Sequence, residues 1–148
     1  MDVGFYHCTR AAPLTVLPKL AMKALEAGHR VLVNAPDPAQ AEAVDEHLWT
    51  FDPGSFLPHC RAGGEYDADQ PLLIADSFDA GNGADLAIAM GARLPGSDAQ
   101  FSRVLYLFDG GDEEAVATAR RHWKALSARD NVLATYWAQE ERGWQKRA

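Results

Sequence analysis

Cysteine, long apolar runs and positive charge are all scarce in this chain. Its two cysteines, Cys8 and Cys60, form no CxxC pair, so free thiols are expected rather than a structural disulfide. No apolar run approaches the roughly 20 residues that a membrane span requires. The first residues also lack the basic start and apolar stretch of a signal peptide. We therefore expect a cytoplasmic protein without a membrane partner.

Negative charge dominates the composition. The chain has 21 acidic and 14 basic residues, which gives a formal net charge of -7. Such a molecule repels phosphate backbones, so a general affinity for DNA cannot come from the molecule as a whole, and DNA is expected to be contacted only indirectly. An anionic partner has to meet a local basic patch.

Motifs of catalysis and of phosphate binding are missing as well. No candidate strand is followed by GxxxxGK[ST] or GxGxxG, and no GxSxG turn presents a nucleophile. The pairs His7-Cys8 and His59-Cys60 contain zinc-binding residue types, but neighbours on a strand point to opposite faces and cannot easily share one metal. We expect no catalytic residues, no metal and no cofactor.

What is present indicates one α/β domain over residues 1–148, since 47% hydrophobic and 24% charged residues are ordinary for a globular protein of this length. Strands are predicted at residues 3–7, 29–35, 72–75, 86–89, 104–107 and 133–139, and helices at 13–27, 38–49 and 113–128. The alternation favours a three-layer α/β/α, Rossmann-like fold with a largely parallel sheet of about five or six strands. Residues 51–70 are interpreted as an ordered loop and 140–148 as a polar tail.

Three local features refine the helices. Pro18 lies within the first helical stretch, so that helix either begins near Thr15 or bends at the proline. Asp37, Pro38 and Gln40 resemble a capping box at the start of the second helix. Asp112 can cap the last helix.

One possible interaction surface is the segment 48–59, which is rich in aromatic residues and proline. A small satellite core under the loop is about as plausible for any single ring. All of its rings cannot easily be buried by one loop, however, and an exposed aromatic patch is typical of a protein interface.

A second possible surface lies on the last helix, where no acidic residue occurs between Ala115 and Arg129. Helical spacing places Val116, Arg120, Trp123 and Lys124 on one face. Two cations beside an aromatic ring suit a peptide that ends in an apolar residue with a free carboxylate. A solvated helix with Trp123 in the core is the competing interpretation.

These residues resemble the chi subunit family of DNA polymerase III. The specific part of the resemblance is the pair of segments at 45–49 (DEHLW) and 55–59 (SFLPH). Further matches extend it over essentially the full chain: Phe5-Tyr6, residues 28–33, Asn82-Gly83-Ala84-Asp85, residues 107–110, Trp123-Lys124-Ala125 and Thr135-Tyr136-Trp137.

The resemblance implies a non-catalytic accessory subunit of a DNA-directed DNA polymerase, a nucleotidyltransferase holoenzyme of DNA replication. Such a subunit pairs with the psi subunit of the clamp-loader complex and binds the acidic C-terminal tail of single-stranded-DNA-binding protein. In some members a helicase-like protein uses the aromatic surface instead.

The resemblance also implies site residues. The psi-binding surface would use Trp49, Phe56, Leu57 and Pro58, and the tail site Arg120, Trp123 and Lys124. A further lysine of the family corresponds to Val116, which implies either lower tail affinity or a contribution from Arg121. The alternatives that remain are a nucleotide- or small-molecule-dependent enzyme on the same fold and direct DNA binding.

Overall fold

A computed structural model describes residues 1–50, 59–65, 67–79, 81–91, 93–96, 101–141 and 143–147. Its strands are β1 (Asp2–Cys8), β2 (Val31–Asn34), β3 (Cys60–Arg61), β4 (Leu72–Ala75), β5 (Leu86–Ala89), β6 (Arg103–Asp109), β7 (Leu133–Glu140) and β8 (Gly143–Lys146). Its helices are α1 (Pro13–Glu26), α2 (Pro38–Thr50) and α3 (Glu113–Ser127), and a single 3₁₀ turn spans Asp67–Asp69.

The sheet order is β3-β4-β2-β5-β6-β1-β7-β8. Every neighbouring pair is parallel except the β7–β8 hairpin. The apolar runs of β2, β4 and β5 are buried at all four of their positions, as expected for strands covered on both faces. The predicted α/β class and largely parallel sheet are confirmed.

Helices cover both faces of this sheet. Val16, Leu17 and Ala21 of α1 share one apolar cluster with Val44 and Leu48 of α2. Ala119 and Leu126 of α3 belong to the cluster on the opposite face, together with alternate residues of the strands. The three layers of the prediction are therefore present, with α1 and α2 on one side and α3 on the other.

The described residues contain two strands more than the upper predicted number. The predicted loop 51–70 includes β3, and the predicted polar tail includes β8. β8 folds back because Gly143 adopts a φ of 120°, which glycine tolerates. Trp144 then packs edge-on against Tyr6, with ring centroids 5.0 Å apart, so this segment contributes to the sheet rather than forming a tail.

The three helices begin at the predicted residues 13, 38 and 113, and one of the predicted capping contacts differs. α1 begins at Pro13, not near Thr15, so Pro18 lies inside it. Asp37 caps α2 by accepting a hydrogen bond from Ala39 N–H at 2.9 Å. The Gln40 part of the capping box is wrong, because its side-chain amide donates to the Met90 carbonyl at 3.0 Å and ties α2 to the end of β5.

No described helix is both long enough and apolar enough to cross a bilayer.

Candidate functional site

The candidate tail site is built on α3, whose ends and inner face follow from its sequence. The Asp112 carboxylate caps the helix by accepting from the N–H groups of Glu114 and Ala115 at 3.0 and 3.3 Å, as predicted. Ala119 and Leu126 are buried against the sheet. This anchoring fixes which side chains of α3 face outward.

Trp123 lies at the boundary between core and solvent. Its indole is half-buried and makes edge-to-face contacts with Phe5 at 5.6 Å and with Tyr136 at 5.9 Å between ring centroids. Val116, about two turns earlier, is also half-buried against the same cluster. Trp123 was interpreted either as part of a peptide site or as a core residue. Both interpretations apply in part, because one part of the ring packs on the core while the other stays accessible.

Arg120 and Lys124 are exposed and stand four residues apart on the flank of α3 that carries Trp123. The ion pairs found within the described part of the chain involve His29, His59 and Arg147. No carboxylate among the described residues therefore neutralises either cation. Two uncompensated positive charges beside an accessible indole form a local positive patch on a molecule whose net charge is -7.

Arg121 points to a different side of the helix. Its guanidinium donates to Thr118 Oγ1 at 3.0 Å and acts electrostatically on Tyr106 and His122. Arg120 instead acts on His7 and Tyr136. The adjacent arginines therefore lie on different flanks of α3, and Arg121, two residues before Trp123, points to the opposite side of the helix from the indole.

Two residues that sequence reasoning did not assign to the site, His7 and Tyr136, adjoin it. The Tyr136 hydroxyl and His7 Nδ1 are 2.7 Å apart. Burial, together with the nearby positive charge of Arg120, lowers the pKa of His7. Burial raises the pKa of Tyr136, and Arg120 opposes that rise. No sequence motif marks this pair, since its members are far apart in the chain and meet only because β7 pairs with β1.

Close packing holds the His7 ring in place. Phe108 stacks on it with centroids 4.9 Å apart and planes 18° apart. A Cβ on Gly110 would lie 2.6 Å from His7 Nε2, so glycine is the residue that leaves room for the imidazole. The neighbouring Cys8 points to the opposite face, where burial raises the pKa of its thiol to about 12. The expected separation of His7 from Cys8 is thus confirmed.

The candidate psi surface is described only in part. Trp49, at the end of α2, is 56% exposed, and its ring lies 4.7 Å from that of His59. His59 is buried, and its Nε2 is 3.1 Å from Asp45 Oδ1, so the imidazole contacts both α2 and the tilted indole ring. Phe56, Leu57 and Pro58 lie outside the described residues.

The carboxyl edge of the sheet, where open α/β folds often bind nucleotides, holds a cleft of about 310 Å³. Asp109 and Asp112 line it, together with mainly apolar side chains. Asp112 already accepts the first N–H groups of α3. A phosphate entering here would meet two carboxylates, which disfavours the nucleotide-enzyme alternative on electrostatic grounds.

Comparisons with known proteins agree on one family. Residues 1–134 match the family model described as DNA polymerase III chi subunit, HolC. The chain is 36% identical to the DNA polymerase III subunit chi of Pseudomonas aeruginosa over 122 residues, covering 80% of this chain and 83% of that protein. It is 29% identical to the protein of the same name from Haemophilus influenzae over 135 residues, covering 88% and 93%.

Proposed function

Because the chain belongs to the DNA polymerase III chi subunit family, we propose that it is a non-catalytic adaptor of the clamp-loader complex. One surface, around Trp49, binds the psi subunit or an equivalent partner. The other, formed by Val116, Arg120, Trp123 and Lys124 and here called the tail site, binds the acidic C-terminal tail of single-stranded-DNA-binding protein.

The observation that carries the proposal is the chemistry of the tail site. Arg120 and Lys124 are exposed cations without a carboxylate partner among the described residues. Half-buried Trp123 and Val116 next to them supply an apolar wall. A chain end with a terminal carboxylate, an apolar last side chain and acidic residues upstream complements each of these features.

Charge also supports a protein tail over a nucleic acid as the ligand. Single-stranded DNA needs a positively charged track along several phosphates. The tail site offers two cations on its flank of α3, on a molecule whose net charge is -7. A short acidic peptide needs no longer track.

The test is calorimetric titration of a synthetic tail peptide into the intact protein and into two charge-reversed variants. Lys124→Glu should weaken binding by about 1–3 kcal/mol, the range for losing a charge-assisted hydrogen bond. Arg121→Glu is the matched control, because it makes the same charge change on another side of α3 and should have the smaller effect. Equal losses in both variants would indicate a response to net charge alone, and unchanged affinity in Lys124→Glu would remove the assignment.

A further inference from the structure

The flank of α3 that carries Trp123 ends against a polar pair, His7 and Tyr136, whose role is not explained by packing alone. Tyr136 is half-buried, its ring is edge-on to Trp123 at 5.9 Å, and its hydroxyl lies 2.7 Å from His7 Nδ1. The Tyr136 ring therefore borders the indole, and its hydroxyl contacts His7.

We propose that the Tyr136 hydroxyl, oriented by His7, is a further ligand-binding group of the tail site and donates a hydrogen bond to a carboxylate of the bound peptide. This inference rests on the proposed function and adds two residues to its site. Tyr136 would touch the ligand, whereas His7 would act as a positioning residue.

Ligand binding would reverse the donor and acceptor in the hydrogen bond between Tyr136 and His7. When no anion is bound, neutral His7 can accept the Tyr136 O–H at Nδ1. Once Tyr136 donates to a carboxylate, the phenolic oxygen can only accept from the ring, so Nδ1 must carry a proton, either in the neutral Nδ1–H tautomer or in the charged ring. The carboxylate and the protonated His7 Nδ1 then support each other through the same hydroxyl.

Electrostatics couples this arrangement to pH. The charged group facing His7 from α3 is Arg120, which together with burial lowers the pKa of His7. On β7, Tyr136 faces the His7 ring, and on β6, Phe108 faces it. At the end of β6 the Asp109 carboxylate accepts from Gly111 N–H at 2.8 Å. A peptide carboxylate beside Arg120 offsets that positive charge and favours the protonated ring, so peptide affinity should rise as pH falls through the histidine range.

The opposite flank of α3 supplies a matched pair. His122 Nδ1 and the Tyr106 hydroxyl are 2.9 Å apart, and Arg121 lowers the pKa of His122 after the larger effect of burial. Tyr106, however, is fully buried. A tyrosine, a histidine and an arginine therefore occur together on both flanks of α3. Of the two tyrosines, Tyr136 is the one whose ring is partly accessible and next to Trp123.

The experiment is titration of the tail peptide at several pH values from about 8 to about 6, which brackets the ordinary histidine range. Tyr136→Phe should lower affinity by about tenfold, the effect of losing one hydrogen bond to a charged group. His7→Gln should flatten the pH dependence. Tyr106→Phe and His122→Gln, checked for an unchanged fold by circular dichroism, should leave both affinity and pH profile as in the unaltered protein.

Two results would overturn the inference: wild-type affinity in Tyr136→Phe, or an unchanged pH profile in His7→Gln. If Lys124→Glu and Arg120→Ala still weaken binding in that case, the proposed tail site survives without the pair. If none of the four substitutions changes binding, the tail site itself is wrong. A loss of folded structure in Tyr136→Phe is detected by its thermal midpoint, and Tyr136→Leu, which has no hydrogen-bond donor in its side chain, must then also lose affinity for the inference to hold.

Discussion

Replacing Trp123 by alanine should damage stability and tail binding together, because the indole serves both. Complete removal of a buried tryptophan costs about 3–5 kcal/mol. Trp123 is only half-buried, but it forms edge-to-face contacts with Phe5 and Tyr136, each of which is worth about 0.5–1.5 kcal/mol. We therefore expect Trp123→Ala to lower the free energy of unfolding by about 2–3 kcal/mol.

Urea unfolding followed by circular dichroism measures the first effect, and peptide titration in buffer, where the variant is still folded, measures the second. Trp123→Phe is the control, since a smaller ring retains an apolar wall and should recover much of both. A loss of less than about 0.5 kcal/mol, the scale of an ordinary surface substitution, would refute the packing of the indole on the core. Wild-type tail affinity in folded Trp123→Ala would refute its place in the tail site.

Two further predictions concern regions away from α3. Trp49→Ala should abolish copurification with psi while changing the thermal midpoint little, because the side chain is 56% exposed; a large fall in the midpoint would place the ring in the core. Asp85 accepts from His29 and from Arg30 N–H at 2.7 and 2.9 Å, and although burial opposes it, these bonds hold the pKa of Asp85 below 3.8. Its stabilising contribution, less than about 1 kcal/mol at this half-exposed position, should be present above pH 3.8 and vanish as pH falls through the folded pKa. Urea unfolding of Asp85→Asn against the unaltered protein at several pH values checks this, and a difference that grows on acidification would contradict it.

The central strands were predictable because a strand buried on both faces consists of consecutive apolar residues. β4 and β5 have the predicted bounds, since four consecutive apolar residues between turn signals leave few other solutions. β8 was not predictable in the same way. It is four residues long and mostly polar outside Trp144, and it forms because Gly143 allows a hairpin and Trp144 finds Tyr6, a residue far away in the chain.

The same distinction between local and distant information applies to the tail site. Spacing along one helix was enough to group Arg120, Trp123 and Lys124, because residues three and four apart share a face. It did not show that Arg121 belongs to another flank, although a rotation of about 100° per residue separates it from Arg120. His7 and Tyr136 needed the order of strands in the sheet, which no local pattern contains.

The positions of the two proposed surfaces bear on whether one molecule can hold two partners at once. Trp49 ends α2, which covers one face of the sheet, whereas Trp123 lies on α3, which covers the other. A partner on one layer therefore need not exclude a peptide on the opposite layer, and sites that share no contacts are expected to bind additively. Among the described residues, the largely parallel sheet lies between the two surfaces, and coupling between them would require an element with two arrangements that both sites bias. An adaptor that holds two proteins together requires this independence of its two binding surfaces. The layered fold therefore supports the proposed function by placing those surfaces on opposite faces of the sheet.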